Sequence, residues 1–317
     1  MKKKTLNVVE LFAGVGGFRL GLEQADAEVF KTVWANQWEP SRKVQHAFEC
    51  YERNFNTGIN EYSNEDIAKV PEKVINEFET DLLVGGFPCQ DYSVARSLNN
   101  EKGLEGKKGV LFWEIKRMIE HSYPKYVLLE NVDRLLKSPS KQRGRDFAVM
   151  LATFRDLGYI VEWRVINAAE YGEVQKRRRI FIFAYKNDLD FAYKQGKISK
   201  DTIIFKEGFF ASTFPVKEMP YKNRINTVTL PNDIVDISDN FKHEFHTAGI
   251  MIKGEILTAH TEVKELVFTP LKDILQDESE IDESFYLTPE QEEKFTYLRG
   301  AKKIERTSAE GFKYTFS

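Results

Sequence analysis

Short, unbroken apolar runs recur through the first 185 residues, each followed by a polar or glycine-rich break and then a stretch with helical spacing. Leu6-Asn7-Val8-Val9-Glu10-Leu11-Phe12 opens the series, and a run of that length bounded by turn residues reads as a buried strand. It passes into Ala13-Gly14-Val15-Gly16-Gly17-Phe18, after which Arg19 to Gln24 has helical character. Val29 to Ala35 is a second predicted strand, leading to Asn36-Gln37-Trp38-Glu39 and a helix over Ser41 to Asn54. Ile67, preceded by Glu65-Asp66, closes a short third segment, and Pro71 opens a helix over Val70 to Phe78. Asp81-Leu82-Leu83-Val84 is the next strand, spilling into Gly85-Gly86. A helix over Val110 to His121 and a strand at Tyr126-Val127-Leu128-Leu129, ending in Glu130-Asn131-Val132, follow it. Phe147 to Leu157 reads as helix, and Tyr159 to Ala168 and Arg179 to Tyr185 as strands. This alternation predicts an α/β fold with a parallel, doubly wound sheet.

Beyond residue 186 the alternation stops. Short β-like pieces appear at Ile203-Ile204-Phe205 and Ile225 to Leu230, and an acidic stretch runs from Asp273 to Glu293. The expected division is therefore residues 1–186 as one domain and 187–317 as a second, smaller region of different architecture. We find no internal repeat and no low-complexity segment.

Composition narrows the class without naming it. With 42% apolar and 30% charged residues, the 317-residue chain can bury a core in water. Two cysteines, Cys50 and Cys89, argue against a disulfide framework and fit a reducing compartment. The lysine-rich start has no apolar stretch behind it, and no run reaches transmembrane length. The expected location is the cytoplasm, with no membrane partner and no metal. A net charge of −3 carries no global mark of a nucleic-acid binder. Local basic runs at Lys102–Lys108, Lys137–Arg145 and Lys176–Arg179 leave that role open, although each alone is more often a solvated face.

Candidate chemistry centres on Val84-Gly85-Gly86-Phe87-Pro88-Cys89-Gln90-Asp91-Tyr92-Ser93. In open α/β sheets, ligands and reactive groups gather just past the carboxyl ends of strands. A thiol at that exit, beside Pro88 and followed by a long polar loop, reads as a nucleophile. The alternative is a cysteine that fills a gap in the core, as Cys50 does in its amphipathic helix. Glycines at 103, 106 and 109 punctuate a basic loop that could act as a lid. The Gly-x-Gly-Gly turn after the first strand lets backbone amides approach a nucleotide-like ligand, but lacks the wider dinucleotide spacing. Asn36-Gln37-Trp38-Glu39 sits where such folds hold a ribose. Trp38 could pack on an adenine or simply fill the core edge.

Four blocks in order, Phe12-Ala13-Gly14-Val15-Gly16-Gly17, Gly86-Phe87-Pro88-Cys89-Gln90, Glu130-Asn131-Val132 and Gln175-Lys176-Arg177-Arg178-Arg179, resemble the DNA (cytosine-5) methyltransferase family. The resemblance is close over residues 5–185 and looser beyond. It implies a Rossmann-like methyltransferase sheet with an incomplete target-recognition region, S-adenosylmethionine as cofactor and double-stranded DNA as substrate, in a bacterial restriction-modification setting. In the family, a thiolate adds to carbon 6 of a flipped-out cytosine and makes carbon 5 nucleophilic. Cys89 matches that nucleophile, Glu130 the residue that meets the base at N3, and Arg177 and Arg179 the arginines that orient the cytosine and the catalytic loop. For the cofactor, the resemblance implies Phe12 stacking on adenine and Gly14 and Gly16 near the methionine part. It also places Trp38 on the other adenine face, Asp66 and Ile67 at the adenine edge, and Pro88 close by. Many members carry Glu where this chain has Gln37, which can still bond ribose hydroxyls without the assistance of a charge; Glu39 is a possible substitute.

The family ends with an Arg-Thr-containing block and a Gly-Asn-Ser-Val-like block, and neither is found here. The expectation is that a second polypeptide completes the enzyme, or that this is a truncated product, in either case weakly active or inactive alone. Three other readings stay open on sequence: a tRNA-directed enzyme of the same chemistry, a non-catalytic DNA-binding subunit, and a generic nucleotide-dependent Rossmann enzyme.

Overall fold

The computed structural model describes residues 4–55, 62–87, 111–217 and 224–300, together with the backbone of 304–307 and 313–316. Two compact units are present, Met1–Thr269 and Pro270–Ser317. In the first, strands β1 (Leu6–Leu11), β2 (Phe30–Asn36), β3 (Tyr62–Ser63), β4 (Leu82–Gly86), β5 (Tyr126–Val132), β6 (Tyr159–Asn167), β7 (Arg178–Lys186), β8 (Ile225–Thr229), β9 (Ala248–Ile252) and β10 (Glu255–Ala259) form one sheet. Their order is β3-β2-β1-β4-β5-β7-β6-β9-β10-β8. Helices α1 (Gly17–Asp26), α2 (His46–Phe55), α3 (Glu72–Glu77), α4 (Leu111–Ser122), α5 (Arg145–Asp156) and α6 (Ile234–Asn240) accompany it.

The sheet is Rossmann-like in its first half and differs from expectation in its second. β3, β2, β1, β4 and β5 are parallel, joined through α1, α2, α3 and α4 as the alternation predicts. β7, however, is inserted antiparallel between β5 and β6. The reason lies in the length of the connection. Between Asn167 and Arg178 there is room for only the short turn Ala168–Glu170, not for the crossover helix that a parallel return needs. β9, β10 and β8 then extend the same sheet, antiparallel throughout. The change of character after residue 186 is thus a change of strand direction within one compact unit, which continues to Thr269. The β-like piece Ile203-Ile204-Phe205 is helical instead, part of a π-type turn over Ile203–Glu207. Its apolar side chains are buried, so a short apolar run did not separate strand from helix here.

Two apolar layers flank the sheet. On one face, α4 and α5 pack over Val9, Leu11, Leu83, Val127, Leu129, Ile180 and Ile182. Helix α5 is buried from Asp146 to Phe154, being covered again on its outer side by Ile237, Phe241 and Phe245. This explains the nearly continuous apolar sequence of a helix that is not amphipathic. On the other face, Phe183, Tyr185 and Ala248 carry Ile203, Ile204 and Phe210, while Phe18 and Leu22 of α1 pack against Val8, Leu82 and Val84.

A polar pair is embedded in the second layer. Glu162 is 3% exposed and accepts hydrogen bonds from the Tyr185 hydroxyl at 3.2 Å and the Phe209 amide at 2.9 Å. Arg164, two residues along β6, donates to the carbonyls of Phe214 and Ile204. Together they pin the irregular 203–214 segment to the sheet. Burial pushes Glu162 from 4.5 to about 7 and draws Arg164 down to about 10.

The second unit is described by itself. Short turns at Leu271–Asp273, Glu278–Glu280 and Glu283–Phe285 precede helix α7 (Pro289–Arg299). Asp277 and Asp282 cap the second and third turns through the amides of Ser279 and Ser284. Thr288 and Gln291 form a capping box at the start of α7, with Pro289 in the first turn, where its missing N–H costs nothing. Antiparallel strands β11 (Ile304–Thr307) and β12 (Lys313–Phe316) end the chain.

The raised Glu162 value sets a pH dependence of stability. A carboxyl whose folded value lies above its unfolded one binds more protons in the native state, so its contribution is complete below about pH 4.5 and is lost as pH rises towards 7. Glu162→Gln keeps an acceptor for the Phe209 amide and removes the charge. Urea denaturation at pH 5, 6, 7 and 8 should show the variant gaining on the wild type across this window, by roughly 3 kcal/mol at the upper end. Parallel pH profiles would contradict the assignment.

Candidate active site

Those of the predicted site residues that are described gather along one edge of the parallel half-sheet, at the carboxyl ends of β1, β2, β3, β4 and β5 and the amino end of the antiparallel β7. This is the edge where strand order reverses about β1, with β2 on one side and β4 on the other.

At the end of β1 the backbone leaves the strand in an unusual shape. Phe12, Gly14 and Gly16 all have positive φ, of 54°, 59° and 90°. Gly14 has open space where a β-carbon would sit, whereas one on Gly16 would lie 2.2 Å from the Phe55 ring. The first glycine therefore leaves open space beside the turn, and the second allows α1 and α2 to approach. The Ala13 amide donates to the Asn36 carbonyl at 3.0 Å, and the Gly14 amide donates to Gln37 Oε1 at 2.8 Å. Gln37 is thus engaged with the turn itself. Trp38, Glu39 and Phe12 are each partly exposed nearby in sequence, and the Glu39 amide donates to Gln45 Oε1.

Beneath this turn lies a buried network that sequence reading did not single out. Glu10, 1% exposed, accepts from the Tyr51 hydroxyl at 3.1 Å and the Arg19 amide at 3.4 Å. Burial raises Glu10 to about 7, against the opposing effect of those hydrogen bonds. The Arg19 guanidinium lies over the Phe55 ring, 4.7 Å from its centroid, and bonds Glu23 at 2.8 Å. A carboxylate inside a predicted strand is the one signal that pointed here.

Asp66 accepts from the Ala68 amide and so caps the short turn Ile67–Lys69, with Ile67 buried. The loop is held from two sides. Asn36 Nδ2 donates to the Glu65 carbonyl at 2.9 Å. Arg117 of α4 donates to the carbonyls of Ile67 and Val70 at 2.7 and 2.9 Å. No local pattern in the sequence marks Arg117 for this task, since its partners lie nearly fifty residues away.

The glycine pair at the end of β4 has a steric reason. A β-carbon on Gly85 would lie 2.8 Å from the Leu11 carbonyl, and one on Gly86 would lie 3.3 Å from Glu130 Oε2. Gly86 pairs with Glu130 across β4 and β5, so the carboxylate comes close to the backbone leading to the Pro88-Cys89 dipeptide. Asn131 Nδ2 donates to the Phe87 carbonyl at 3.1 Å, tying β5 to the same segment one residue before Pro88. Pro88 and Cys89, with the basic glycine-punctuated loop after them, lie outside the described residues. Cys50 packs in α2, with Asn54 Nδ2 3.6 Å from its sulfur.

The predicted acidic and basic residues do meet. Glu130 Oε1 is 2.9 Å from Arg179 Nε and 3.3 Å from a terminal nitrogen of Arg177. Arg178 points away from Glu130 to Asp133, at 2.7 Å. Glu130 is 19% exposed, Arg179 26% and Arg177 49%. The cluster is therefore open to an incoming molecule. Among the described residues, no group of three His, Cys, Asp or Glu is arranged to hold a metal ion, and no helix is long and apolar enough to cross a membrane.

The sequence is similar to those of known proteins. The family model described as C-5 cytosine-specific DNA methylase matches residues 6–311. The Type II methyltransferase M.Sau3AI of Staphylococcus aureus is 58% identical over 312 residues, which is 98% of this chain and 75% of that protein. The Type II methyltransferase M.HhaI of Haemophilus parahaemolyticus is 38% identical over 185 residues, 58% of this chain and 50% of that one. Among solved structures, the Dnmt2 methyltransferase of S. pombe is 21% identical, with 68% of this chain and 64% of that chain covered and a TM-score of 0.43. A match across nearly the whole chain, with the glycine turn and the Glu–Arg cluster on one sheet edge, has one consequence: the chain belongs to the C-5 cytosine-specific DNA methylase family.

Proposed function

We propose that the protein transfers a methyl group from S-adenosylmethionine to carbon 5 of a flipped-out cytosine in a specific duplex DNA sequence, through a covalent adduct between Cys89 and carbon 6. The observation that carries this reading is the Glu130 carboxylate, held between Arg177 and Arg179 and facing Gly86, three residues before the cysteine.

The cofactor supplies an electrophilic methyl group on a sulfonium. The residues fit such a ligand on geometric grounds: open space beside Gly14, a turn fixed by Gln37, and a capped Asp66–Ile67 loop after β3. Phe12, Gly14, Gly16, Gln37, Trp38, Asp66, Ile67 and Pro88 are the residues that would hold it. Phe12 and Trp38 supply the flat apolar faces, and the turn supplies backbone amides.

The remaining steps belong to the chain. Cytosine carbon 5 is a poor nucleophile until a thiolate adds to carbon 6. The Cys89 sulfur forms that bond, and the electron pair displaced from the 5,6 double bond moves towards N3. Glu130 in its carboxylic-acid form gives its proton to N3, which neutralises the charge there, leaves an enamine whose carbon 5 is nucleophilic, and makes Glu130 the carboxylate that the two arginines hold. After carbon 5 has gained the methyl group, N3 returns its proton to Glu130, and loss of the carbon 5 proton to water with expulsion of the Cys89 thiolate restores the ring. Arg177 and Arg179 hold the Glu130 carboxylate in place and favour anionic character in their surroundings. A base stacked within a duplex is out of reach of such a group, hence the extrahelical cytosine.

Two experiments test this. A duplex containing 5-fluorocytosine, which cannot lose its carbon 5 substituent as a proton, should trap a denaturation-resistant complex in the presence of cofactor. Cys89→Ser should abolish the trap, and Glu130→Gln should lower methyl transfer about 10²- to 10⁴-fold. Label that entered tRNA instead of DNA, or trapping by Cys89→Ser, would end the proposal. The second concerns the cofactor. Gly16→Ala forces a β-carbon into the Phe55 ring at a positive φ, so calorimetry should show S-adenosylmethionine affinity reduced by at least about tenfold, the equivalent of 1–2 kcal/mol of backbone and packing strain.

A further inference from the structure

The arginine cluster begins in a turn that is itself held from a distance. Residues 168–173 form this turn, and it closes on Ala168. The Ala168 carbonyl accepts from the Tyr171 and Glu173 amides at 3.0 and 3.2 Å, while the Ala168 amide donates to the Arg177 carbonyl at 3.0 Å. Ala168 is therefore the link between the turn and the start of β7. Its far side is fastened to a segment nearly a hundred residues later. The Thr269 hydroxyl donates to the Gly172 carbonyl at 2.6 Å. Tyr171 and Val267 form an isolated parallel bridge. Val267 also packs on Gly172, where a β-carbon would come within 3.1 Å of its Cγ1. Gly172 has φ of 100°, so the turn has room for Val267 and takes this path only with glycine.

The segment that does the fastening is lightly attached. Residues 264–268 are exposed, and Thr269, half-buried, is the last residue of the first compact unit. Two hydrogen bonds carry the connection: the short one from the Thr269 hydroxyl to the Gly172 carbonyl, and a longer one, 3.5 Å, from the Val267 amide to the Glu170 carbonyl. Arg177, at 49% exposure, is in turn more dependent on its backbone anchor than on packing.

We infer that Thr269 and Val267 are positioning residues for Arg177 and Arg179, acting through the 168–173 turn. The inference rests on the methyl-transfer reading for its catalytic consequence but not for its structural content. The clasp fixes where β7 begins, and hence where two guanidiniums stand relative to Glu130.

The test uses the full chain and two variants. Thr269→Val keeps the shape and removes the hydroxyl; Thr269→Ser keeps the hydroxyl. Hydrogen exchange over residues 168–179 should quicken about five- to tenfold in Thr269→Val and stay near wild type in Thr269→Ser, as expected for one lost hydrogen bond. With duplex DNA and labelled cofactor, kcat should fall by a similar factor in Thr269→Val, with the KM for S-adenosylmethionine unchanged and activity restored in Thr269→Ser. Unchanged exchange in Thr269→Val overturns the inference, and so does faster exchange with an unaltered kcat. A wild type that fails to methylate duplex DNA overturns the methyl-transfer reading instead, and exchange then decides the clasp alone.

Discussion

The site depends on the register in which β7 lies against β5. Val132 pairs with Arg179 and Glu130 with Phe181, so directly opposed side chains share a face and Arg179 becomes the diagonal neighbour of Glu130. The period of two then places Arg177 on the same face and Arg178 on the other, as the Asp133 pair shows. A slip of one residue would exchange these roles and present Arg178 to the carboxylate. The partly exposed Glu130–Arg contacts contribute little to stability by themselves, on the order of 1 kcal/mol or less. What holds the register is the buried alternation behind it, Val127, Leu129, Ile180, Ile182 and Ala184, all of which lie in the core.

The same logic explains why the site occupies one edge. The parallel strands deliver their carboxyl ends together, and β7, running the opposite way, brings its amino end to the same place. A basic cluster at the start of a strand and an acidic residue at the end of another can only meet in this way. The short β6–β7 connection, too short for a helix, is thus a condition of the chemistry.

Much of this was legible locally. Strand runs, the glycine turn and the four blocks each occupy a few adjacent residues, and the strand ends bring the described residues of those blocks to one edge. What was not legible depends on distance in the chain. The insertion of β7 between β5 and β6 follows from a loop length, not from a pattern, and alternation alone suggested a wholly parallel sheet. The apolar run at 203–205 is compatible with either period and was resolved only by Glu162, Arg164 and their backbone partners. The division expected after residue 186 followed irregularity in the sequence, yet β9 pairs with β6 and carries the same core onward. Arg117 and Asn131 act on carbonyls some fifty and forty-four residues away, and only folding shows which carbonyls those are.

These supports share a design that bears on how the site works. Gln37 holds Gly14, Arg117 holds Ile67 and Val70, Asn131 holds Phe87, and Thr269 holds Gly172. In each case a side chain on one element grips the backbone of another. Backbone groups are the same whatever the residue, so the grip fixes position without dictating chemistry. Irregular loops exposed at a sheet edge would otherwise be the least stable parts of the fold. Anchoring them from buried elements orders them without filling the edge they border. The proposed reaction, in which an extrahelical base enters the site, would need that combination, an open edge and fixed walls, because a group displaced by even 1 Å loses much of its catalytic advantage.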